Sequence, residues 1–459
     1  MKNIKISLVL GSLLGVLTAT SPAMAVDLLD VYRLAQQNDP EIAIAEANFM
    51  AAAEASPQAR ASYLPQIEAN VNYGRTDSTS VGEQFFAGQI FPDDSESEST
   101  STSWTVSLRQ TIFNWGTVNQ IQQAAADVAR AEAEYRAAEQ QLIVRVAEAY
   151  FNLLAAKDSL EASRINKESI ARQLDQAKKR FEVGLIAITD VQESQAAFDQ
   201  ATAEVIAAER TAFSTRENLR AVIGEYVDDP AAPAADMPLV SPMPQSPENW
   251  VEKALEQNLT VIASRFALES AEHDTGIRRA GHYPTLDFVA EHGETDSDFD
   301  SLDFTTNPAV PGSGTSEQTR DFIGLQLNVP IFSGGATQSR TRQAAFQESA
   351  ARSSLKQAIR NAESQTRDTY LGVISDIARV QALRQAYESS QTALKATQAG
   401  YEVGTRTAVD VLTGRRNELQ ALITYQRARY DYVLNTLRLK QAAGMLTGED
   451  VAEVATWMK

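Results

Sequence analysis

The sequence contains no cysteine in its 459 residues. This absence excludes disulfide bonds, thiolate metal sites and the acylated cysteine of a lipoprotein. Only three histidines occur, and they lack the spacing of metal ligands; they are His273, His282 and His292. We interpret them as polar surface or packed side chains. Because the chain also has no nucleophile motif and no phosphate-binding loop, we predict a protein that is not an enzyme and uses no metal or other cofactor.

Long apolar runs are scarce, and the one that stands out lies at the N-terminus. Lys2 and Lys5 flank the start of an apolar segment over residues 6–19, and Ala23-Met-Ala25 has the form of a cleavage site. Residues 1–25 are therefore predicted to be a secretory signal peptide, with the mature chain beginning at Val26. No other stretch approaches the roughly 18 apolar residues of a transmembrane helix.

Positive charge is in deficit, with 41 lysines and arginines against 60 acidic residues and a formal net charge of −19. Loss of Lys2 and Lys5 with the signal peptide makes the net charge −21. This excess of negative charge argues against nucleic acid as a partner.

Glycine and proline are absent from one very long segment, the 67 residues Thr117–Val183. As a helix it would be about 100 Å long. Its apolar residues, among them Ala125, Leu142, Val146 and Leu153, recur in steps of three, four and seven, which is typical of a coiled coil. The segment 336–399 has the same rhythm and is interrupted only by Gly372. We predict that helices over about 189–222 and 407–443 return alongside these two. Each repeat is also predicted to begin as helix, over 27 to about 61 with a break at residues 38–40, and over 249 to about 279.

A twelve-residue motif follows each long helical segment. Arg180-Phe-Glu-Val-Gly-Leu-Ile-Ala-Ile-Thr-Asp-Val191 recurs 220 residues later as Gly400-Tyr-Glu-Val-Gly-Thr-Arg-Thr-Ala-Val-Asp-Val411. Each copy has a glycine where a helix should end and an aspartate where the next should begin. The same offset relates Tyr63 to Tyr283, Tyr150 to Tyr370 and Gly224 to Gly444. The chain is therefore an internal duplication, and each motif is predicted to be the tip of a helical hairpin.

Each repeat also contains two segments in which apolar and polar residues alternate, the signature of a strand with one apolar face. The apolar members are Ile67, Ala69, Val71 and Tyr73; Trp104, Val106, Leu108 and Ile112; Leu286, Phe288 and Ala290; and Ile323, Leu325, Leu327, Val329 and Ile331. The Ser-, Thr- and acid-rich stretches between them, 74–103 and from about 292 to 320, are predicted to be loops.

The predicted organisation follows from these elements. The signal peptide, residues 1–25, precedes a first repeat over 26–227, which has a β-hairpin at about 66–113 and a tip at about 183–191. A proline-rich connector, 228–247, joins it to a second repeat over 248–444, which has a β-hairpin at about 285–331 and a tip at about 403–411. A C-terminal tail, 445–459, follows.

Four strands cannot close a membrane barrel, since single-chain barrels begin at eight strands. An open sheet edge in lipid would also leave backbone groups unpaired. Other copies of the chain must then complete the sheet, and three copies would give twelve strands. The fold class is thus predicted to be mainly α with a membrane β-barrel. A soluble helical rod with two incidental hairpins is the alternative, but it explains neither the matched strands nor the export signal.

Several motifs resemble those of the trimeric outer-membrane efflux proteins, also called outer-membrane factors. They are the two tip motifs, Tyr150-Phe-Asn-Leu-Leu154, Arg172-Gln-Leu-Asp175, Ala428-Arg-Tyr-Asp-Tyr432, Tyr63-Leu-Pro-Gln66 and His282-Tyr-Pro-Thr-Leu286. The resemblance implies a homotrimer with a twelve-stranded barrel in the outer membrane and an α-helical barrel in the periplasm. It implies a passive exit duct for efflux or type I secretion, whose partners are a periplasmic adaptor and an inner-membrane pump. A periplasmic coiled-coil adaptor or structural protein without a barrel is the alternative function.

The resemblance also implies roles for residues at the tips. Asp410 would form the entrance constriction, while the family's second acidic position, three residues on, is Thr413 in this chain. Tyr401 and Arg406 would latch the entrance against Thr189 and Asp190. Two tip segments would receive the adaptor: Val183-Gly184-Leu185 and Val403-Gly404-Thr405. From the residues alone, Asp410 is interpreted as a helix cap, Tyr401 as a packing residue and the glycines as turn residues.

Overall fold

The structure is a computed structural model, and it describes residues 26–86, 88–92, 95–227, 229–234, 236–303 and 310–458. The predicted signal peptide lies outside the described residues. The described chain begins with three short helices, α1 (Leu28–Asn38), α2 (Pro40–Ala53) and α3 (Ala55–Ala61). The predicted break at residues 38–40 is confirmed, because the Asp39 carboxylate caps α2 by accepting the Glu41 and Ile42 amides.

Two long strands and a small hairpin follow: β1 (Gln66–Ser80), β2 (Glu83–Phe86), β3 (Gln89–Pro92) and β4 (Ser95–Phe113). β1 and β4 pair antiparallel from Gln66↔Arg109 to Ser80↔Ser95. The prediction of a loop over 74–103 is therefore wrong. Apolar alternation reports which part of a strand faces an apolar environment, whereas backbone pairing continues through the Ser- and Thr-rich part.

The two predicted long helical elements of the first repeat are confirmed as α4 (Trp115–Glu182) and α5 (Ile188–Ile223). α4 has 68 residues, which corresponds to about 100 Å. Within the heptad pattern, Leu142, Val146 and Leu153 are buried as predicted. Nearer the sheet, Ala125 is exposed and the neighbouring Ala124 and Ala126 are buried instead.

The second repeat restarts after an irregular connector, with α6 (Pro247–Gln257) and α7 (Leu259–Ala280). The single helix predicted from residue 249 to about 279 is thus two helices. The Asn258 side chain caps α7 by accepting hydrogen bonds from the amides of Thr260 and Val261. Asn258 is therefore the second repeat's counterpart of Asp39, which caps α2 in the first repeat.

The remaining elements are β5 (Thr285–Asp303), β6 (Val310–Asn328), α8 (Ala336–Glu402), α9 (Ala408–Ala442) and α10 (Gly448–Ala455). The predicted polar loop before Arg320 is again largely strand, for the same reason as in the first repeat. The predicted C-terminal tail contains a helix, since α10 buries Val451 and Val454 and its Asp450 pairs with Lys440 at 2.6 Å.

One antiparallel sheet joins the strands of both repeats in the order β1-β4-β5-β6. Its register places Ile67 opposite Leu108, Leu108 opposite Ala290 and Ala290 opposite Ile323. These four residues form a row on one face of the sheet, because directly opposite residues share a face. The predicted apolar band is therefore continuous across all four strands.

The long helices pack in layers below the sheet. α4 packs on α7 near the sheet and on α5 and α9 farther away, and α8 packs on α9. The main apolar core lies where both repeats meet the connector, and Tyr150, Phe151 and Tyr432 are fully buried in it. Within the described ranges, none of the helices combines the length and the apolar character that crossing a membrane requires.

Candidate functional site

The two hairpin tips have the same backbone construction. At the end of α4 the Leu185 amide donates to the Arg180 carbonyl at 2.9 Å, and the Gly184 amide donates to the Phe181 carbonyl at 2.8 Å. At the end of α8 the Thr405 amide donates to the Gly400 carbonyl at 2.8 Å. These are Schellman caps, which need a left-handed residue just past the helix. Gly184 and Gly404 supply it with φ of 75° and 81°.

The tips present apolar side chains to solvent. Val183, Leu185 and Val403 are each at least 70% exposed. A Cβ built at Gly184 or Gly404 would have no neighbour within 4 Å. The glycines are therefore required by backbone conformation rather than by crowding, and each leaves open space beside exposed apolar side chains.

Asp410 forms a capping box with Thr407 at the start of α9. Its carboxylate accepts the Thr407 amide at 3.0 Å, and its own amide donates to the Thr407 hydroxyl at 3.2 Å. The backbone and side-chain hydrogen bonds from Thr407, together with the nearby Arg406 charge, hold the pKa of Asp410 below its usual range. Asp410 therefore caps α9 in this structure. Because its pKa is lowered, the carboxylate is ionised at neutral pH. Thr413, one turn further on, is exposed.

The first tip lacks this box. Ala187 stands where the second tip has Thr407, and it provides no side-chain cap. Thr189 and Asp190 lie in the first turn of α5, where Thr189 is exposed and Asp190 half-buried. The two copies of the motif thus share their helix ends but not their helix beginnings.

The four residues of the expected latch do not hydrogen-bond to one another within the single chain described by the structure. Tyr401 instead lies under Arg180, whose guanidinium carbon is 5.1 Å from the ring centroid. Arg406 folds against its own tip: a Cβ at Gly400 would be 2.8 Å from its Cγ, and its amide donates to the Gly400 carbonyl at 3.2 Å. The Arg406 side chain can therefore pack against the end of α8 because residue 400 is a glycine without a Cβ atom.

The motifs around Tyr150 and Tyr432 predict no role for these two residues, yet both make structural hydrogen bonds. The Tyr150 hydroxyl donates to the carbonyls of Val26 at 2.9 Å and Ala231 at 2.7 Å. The Tyr432 hydroxyl accepts the Val240 amide at 2.8 Å. Both tyrosines tie the irregular connector to the long helices. A buried tyrosine signals that its hydroxyl has a partner, but backbone partners in an irregular segment leave no trace in the sequence.

A second pair in this region joins α4 to α9. The Tyr430 hydroxyl donates to the Asp158 carboxylate, and the Tyr430 ring stacks on Phe151 with centroids 5.6 Å apart. Burial raises the pKa of both Tyr430 and Asp158. These hydrogen bonds and the ring contact tie α4, α9 and the connector together.

Three carboxylates outside the tips also converge. Glu294 and Asp296 on β5 and Glu317 on β6 have oxygen atoms within 4.8 Å of one another. They lie near the surface, among many other acidic groups of these strands.

The chain is similar to known proteins over nearly its full length. The model of the outer membrane efflux protein family matches residues 31–225 and 250–445. Outer membrane protein TolC of Vibrio cholerae is 35% identical over 445 residues, which are 96% of each chain. The alkaline protease secretion protein AprF of Pseudomonas aeruginosa is 30% identical over 94% of this chain and 87% of that protein.

Solved structures share the fold. The Campylobacter jejuni CmeC outer membrane channel superimposes with a TM-score of 0.71 at 17% identity, covering 94% of this chain and 90% of that one. The fold of long helices and four strands that the sequence predicted is therefore that of an outer-membrane channel subunit.

Proposed function

The chain belongs to the outer membrane efflux protein family, and from this premise we propose how it forms a duct and with which partners it works. Its function is passive export across the outer membrane, as the family and the full-length relatives indicate. We propose that three copies form the duct, that an adaptor binds the hairpin tips, and that an inner-membrane pump supplies the energy and chooses the cargo. The family is one of transport channels, and we propose that the chain has no catalytic activity.

The sheet edges carry the proposal of a shared barrel. β1 and β6 are the outer strands of the four-stranded sheet, and apolar side chains such as Val71 and Leu325 on them are exposed. An unpaired strand edge in lipid leaves its amides and carbonyls without partners, which costs several kcal/mol per group. Pairing of β6 of one copy with β1 of the next removes every edge once the ring closes. Three copies then give the twelve strands that the resemblance implies.

The helices supply the second half of the duct. α4 and α8 have 68 and 67 residues and extend about 100 Å. They carry the chain away from the apolar band of the sheet to the two tips. Three copies of this layer would enclose a channel that continues from the barrel and ends at six hairpin tips.

The tips support the proposal of an adaptor partner. An exposed apolar surface with a glycine-made recess suits an amphipathic helix docking into a groove. We propose that Val183, Gly184 and Leu185 form one such recess and that Val403, Gly404 and Thr405 form the other. The partner is then a periplasmic protein with a helical hairpin.

The entrance would lie between the tips. We propose that Asp410 of each copy points into its narrowest part, and that Arg406 of one copy bonds to Thr189 or Asp190 of the next. Guanidinium bonds to oxygen acceptors are charge-assisted and hence strong enough to hold a closed state. The alternative function, an adaptor without a barrel, gains no support from the relatives.

Photo-crosslinking in cells tests this function. A photoreactive residue at Leu185 is expected to capture a periplasmic protein with a predicted helical hairpin, in cells whose outer-membrane fraction contains the duct. The same residue at Ile165, which is also exposed on α4 but lies five turns from the tip, serves as the matched control. Equal capture from both positions, or release of the protein from membranes without detergent, would contradict the proposal.

A further inference from the structure

Arg180 and Tyr401 join the two hairpin tips of one chain. The Arg180 guanidinium carbon lies 5.1 Å from the centroid of the Tyr401 ring, within the range of a cation–π interaction. Arg180 forms no ion pair with any carboxylate that the structure describes, and Tyr401 donates no hydrogen bond to a described residue. The face of the ring, rather than the phenol, therefore makes the contact.

The two copies of the tip motif differ at the positions that make this contact. Positions 180 and 181 are Arg-Phe in the first repeat, and the matching positions 400 and 401 are Gly-Tyr in the second. The arginine of the second tip is displaced to Arg406, where it covers Gly400. One tip thus supplies the cation and the other supplies the ring.

The contact links α4 and α8, each of which packs mainly on other helices. α4 packs mainly on α5, α7 and α9, and α8 packs mainly on α7 and α9. A contact confined to their ends is broken when one hairpin moves relative to the other. Arginine suits this position, because its planar guanidinium stacks on an aromatic face and remains charged at every physiological pH.

We propose that Arg180 is a positioning residue of the closed entrance, and that it holds the two hairpins of one subunit together through the ring face of Tyr401. This inference rests on the proposed function of the tips as a closable entrance. It differs from the latch implied by the family resemblance, in which Tyr401 and Arg406 bond to Thr189 and Asp190 rather than to Arg180. Removal of the contact favours the open entrance by about two- to fivefold in each subunit, hence by about 10- to 100-fold when three subunits open together.

Single-channel recording in planar bilayers tests the proposal. We expect Arg180→Gln and Tyr401→Leu each to raise the open probability by about 10- to 100-fold, and Tyr401→Phe to raise it far less than Tyr401→Leu. The double variant Arg180→Gln/Tyr401→Leu should open little more than the stronger single variant, because both changes remove one contact. Arg172→Gln is the matched control, since Arg172 is an exposed arginine of the same helix and, among the described residues, its ion-pair partner is Glu168 one turn earlier.

Two outcomes overturn the proposal. If Tyr401→Phe opens the channel as much as Tyr401→Leu does, the link is made by the phenol hydroxyl. If Arg180→Gln behaves like Arg172→Gln, Arg180 does not stabilise the closed entrance. A parent protein that forms no channel at all would instead refute the proposed duct, and the inference with it.

Crosslinking provides an independent measurement, because the chain has no native cysteine. In Arg180→Cys/Tyr401→Cys, a short thiol-specific crosslinker should join the two residues within one subunit. The denatured product then has the mass of a single chain, and its channel stays closed. Products with the mass of two or three chains would show that these positions face different subunits and would overturn the intrasubunit contact.

Discussion

Thr407 and Asp410 bond to each other's backbone amides, with the Asp410 carboxylate 3.0 Å from the Thr407 nitrogen and the Thr407 hydroxyl 3.2 Å from the Asp410 nitrogen. The matching residue of the first repeat, Ala187, cannot form this box. The box orients the Asp410 carboxylate at the beginning of α9, and it gives the second tip a charge of fixed position that the first tip lacks.

Multivalent cations should block the channel at Asp410. We expect Asp410→Asn to remove most of the block, because the amide oxygen can still accept the Thr407 amide while the charge is lost. Thr413→Asp should strengthen the block by adding a second ring of carboxylates one turn away. The measurement is conductance against added divalent or trivalent cation in each chamber, and the block should be stronger from the side that the tips face.

Glu182→Gln is the control for this experiment, since it removes an exposed carboxylate from the end of α4. Block that is lost equally in Glu182→Gln and Asp410→Asn would show a diffuse surface effect. Undiminished block in Asp410→Asn would mean that Asp410 is only a helix cap and that the constriction lies elsewhere.

The pH at which block disappears reports whether three Asp410 carboxylates converge. In one chain the hydrogen bonds from Thr407 lower the pKa of Asp410, so an isolated carboxylate would stay charged until the pH falls below its ordinary value of about 3.9. Three carboxylates in a narrow ring repel one another, which raises the pKa values of the group. We expect block to weaken as pH falls through a midpoint above 3.9, and a midpoint below it would contradict the ring.

Gly184→Trp should abolish export and leave oligomer assembly intact. The indole would occupy the recess at the tip, and the positive φ of Gly184 would strain any side chain. Gly334→Trp controls for strain, because Gly334 also has a positive φ and open surroundings. Gly334 precedes α8 and so lies at the end of that helix away from the tips. Normal export by Gly184→Trp, or an equal loss in Gly334→Trp, would remove the docking role of the tip.

Arg406→Ser should raise the resting conductance, because it removes the charge-assisted bonds proposed between neighbouring subunits. Arg416→Ser, which changes an exposed arginine on the nearby helix α9, is expected to behave as the parent protein does. The measurement is the single-channel conductance of both variants and of the parent protein at one voltage. Equal conductance in Arg406→Ser and the parent would show that the latch implied by the resemblance is not used in this chain.

The elements with regular periodicity were predictable from the sequence. The absence of glycine and proline over 117–183 predicted α4 nearly to the residue, and the duplicated motif predicted both tips. The strand extensions beyond Tyr73 and before Trp104 were not predictable from alternation, since both faces of those segments are polar. α10 was missed because eight residues with two buried valines form no periodic pattern long enough to recognise.

The contacts within the site were less predictable than its location. The glycines and Asp410 could be found because turn and cap positions demand particular residue types. The Arg180–Tyr401 contact could not, because it joins residues 221 positions apart on different helices and depends on which copy of the motif carries which side chain.

The mass of the protein extracted from outer membranes in mild detergent tests the central claim, that several copies complete one duct. We expect a single species of three chains, because four strands per chain leave two open edges that only a closed ring satisfies. A monodisperse monomer that retains its β-sheet signal would contradict this account.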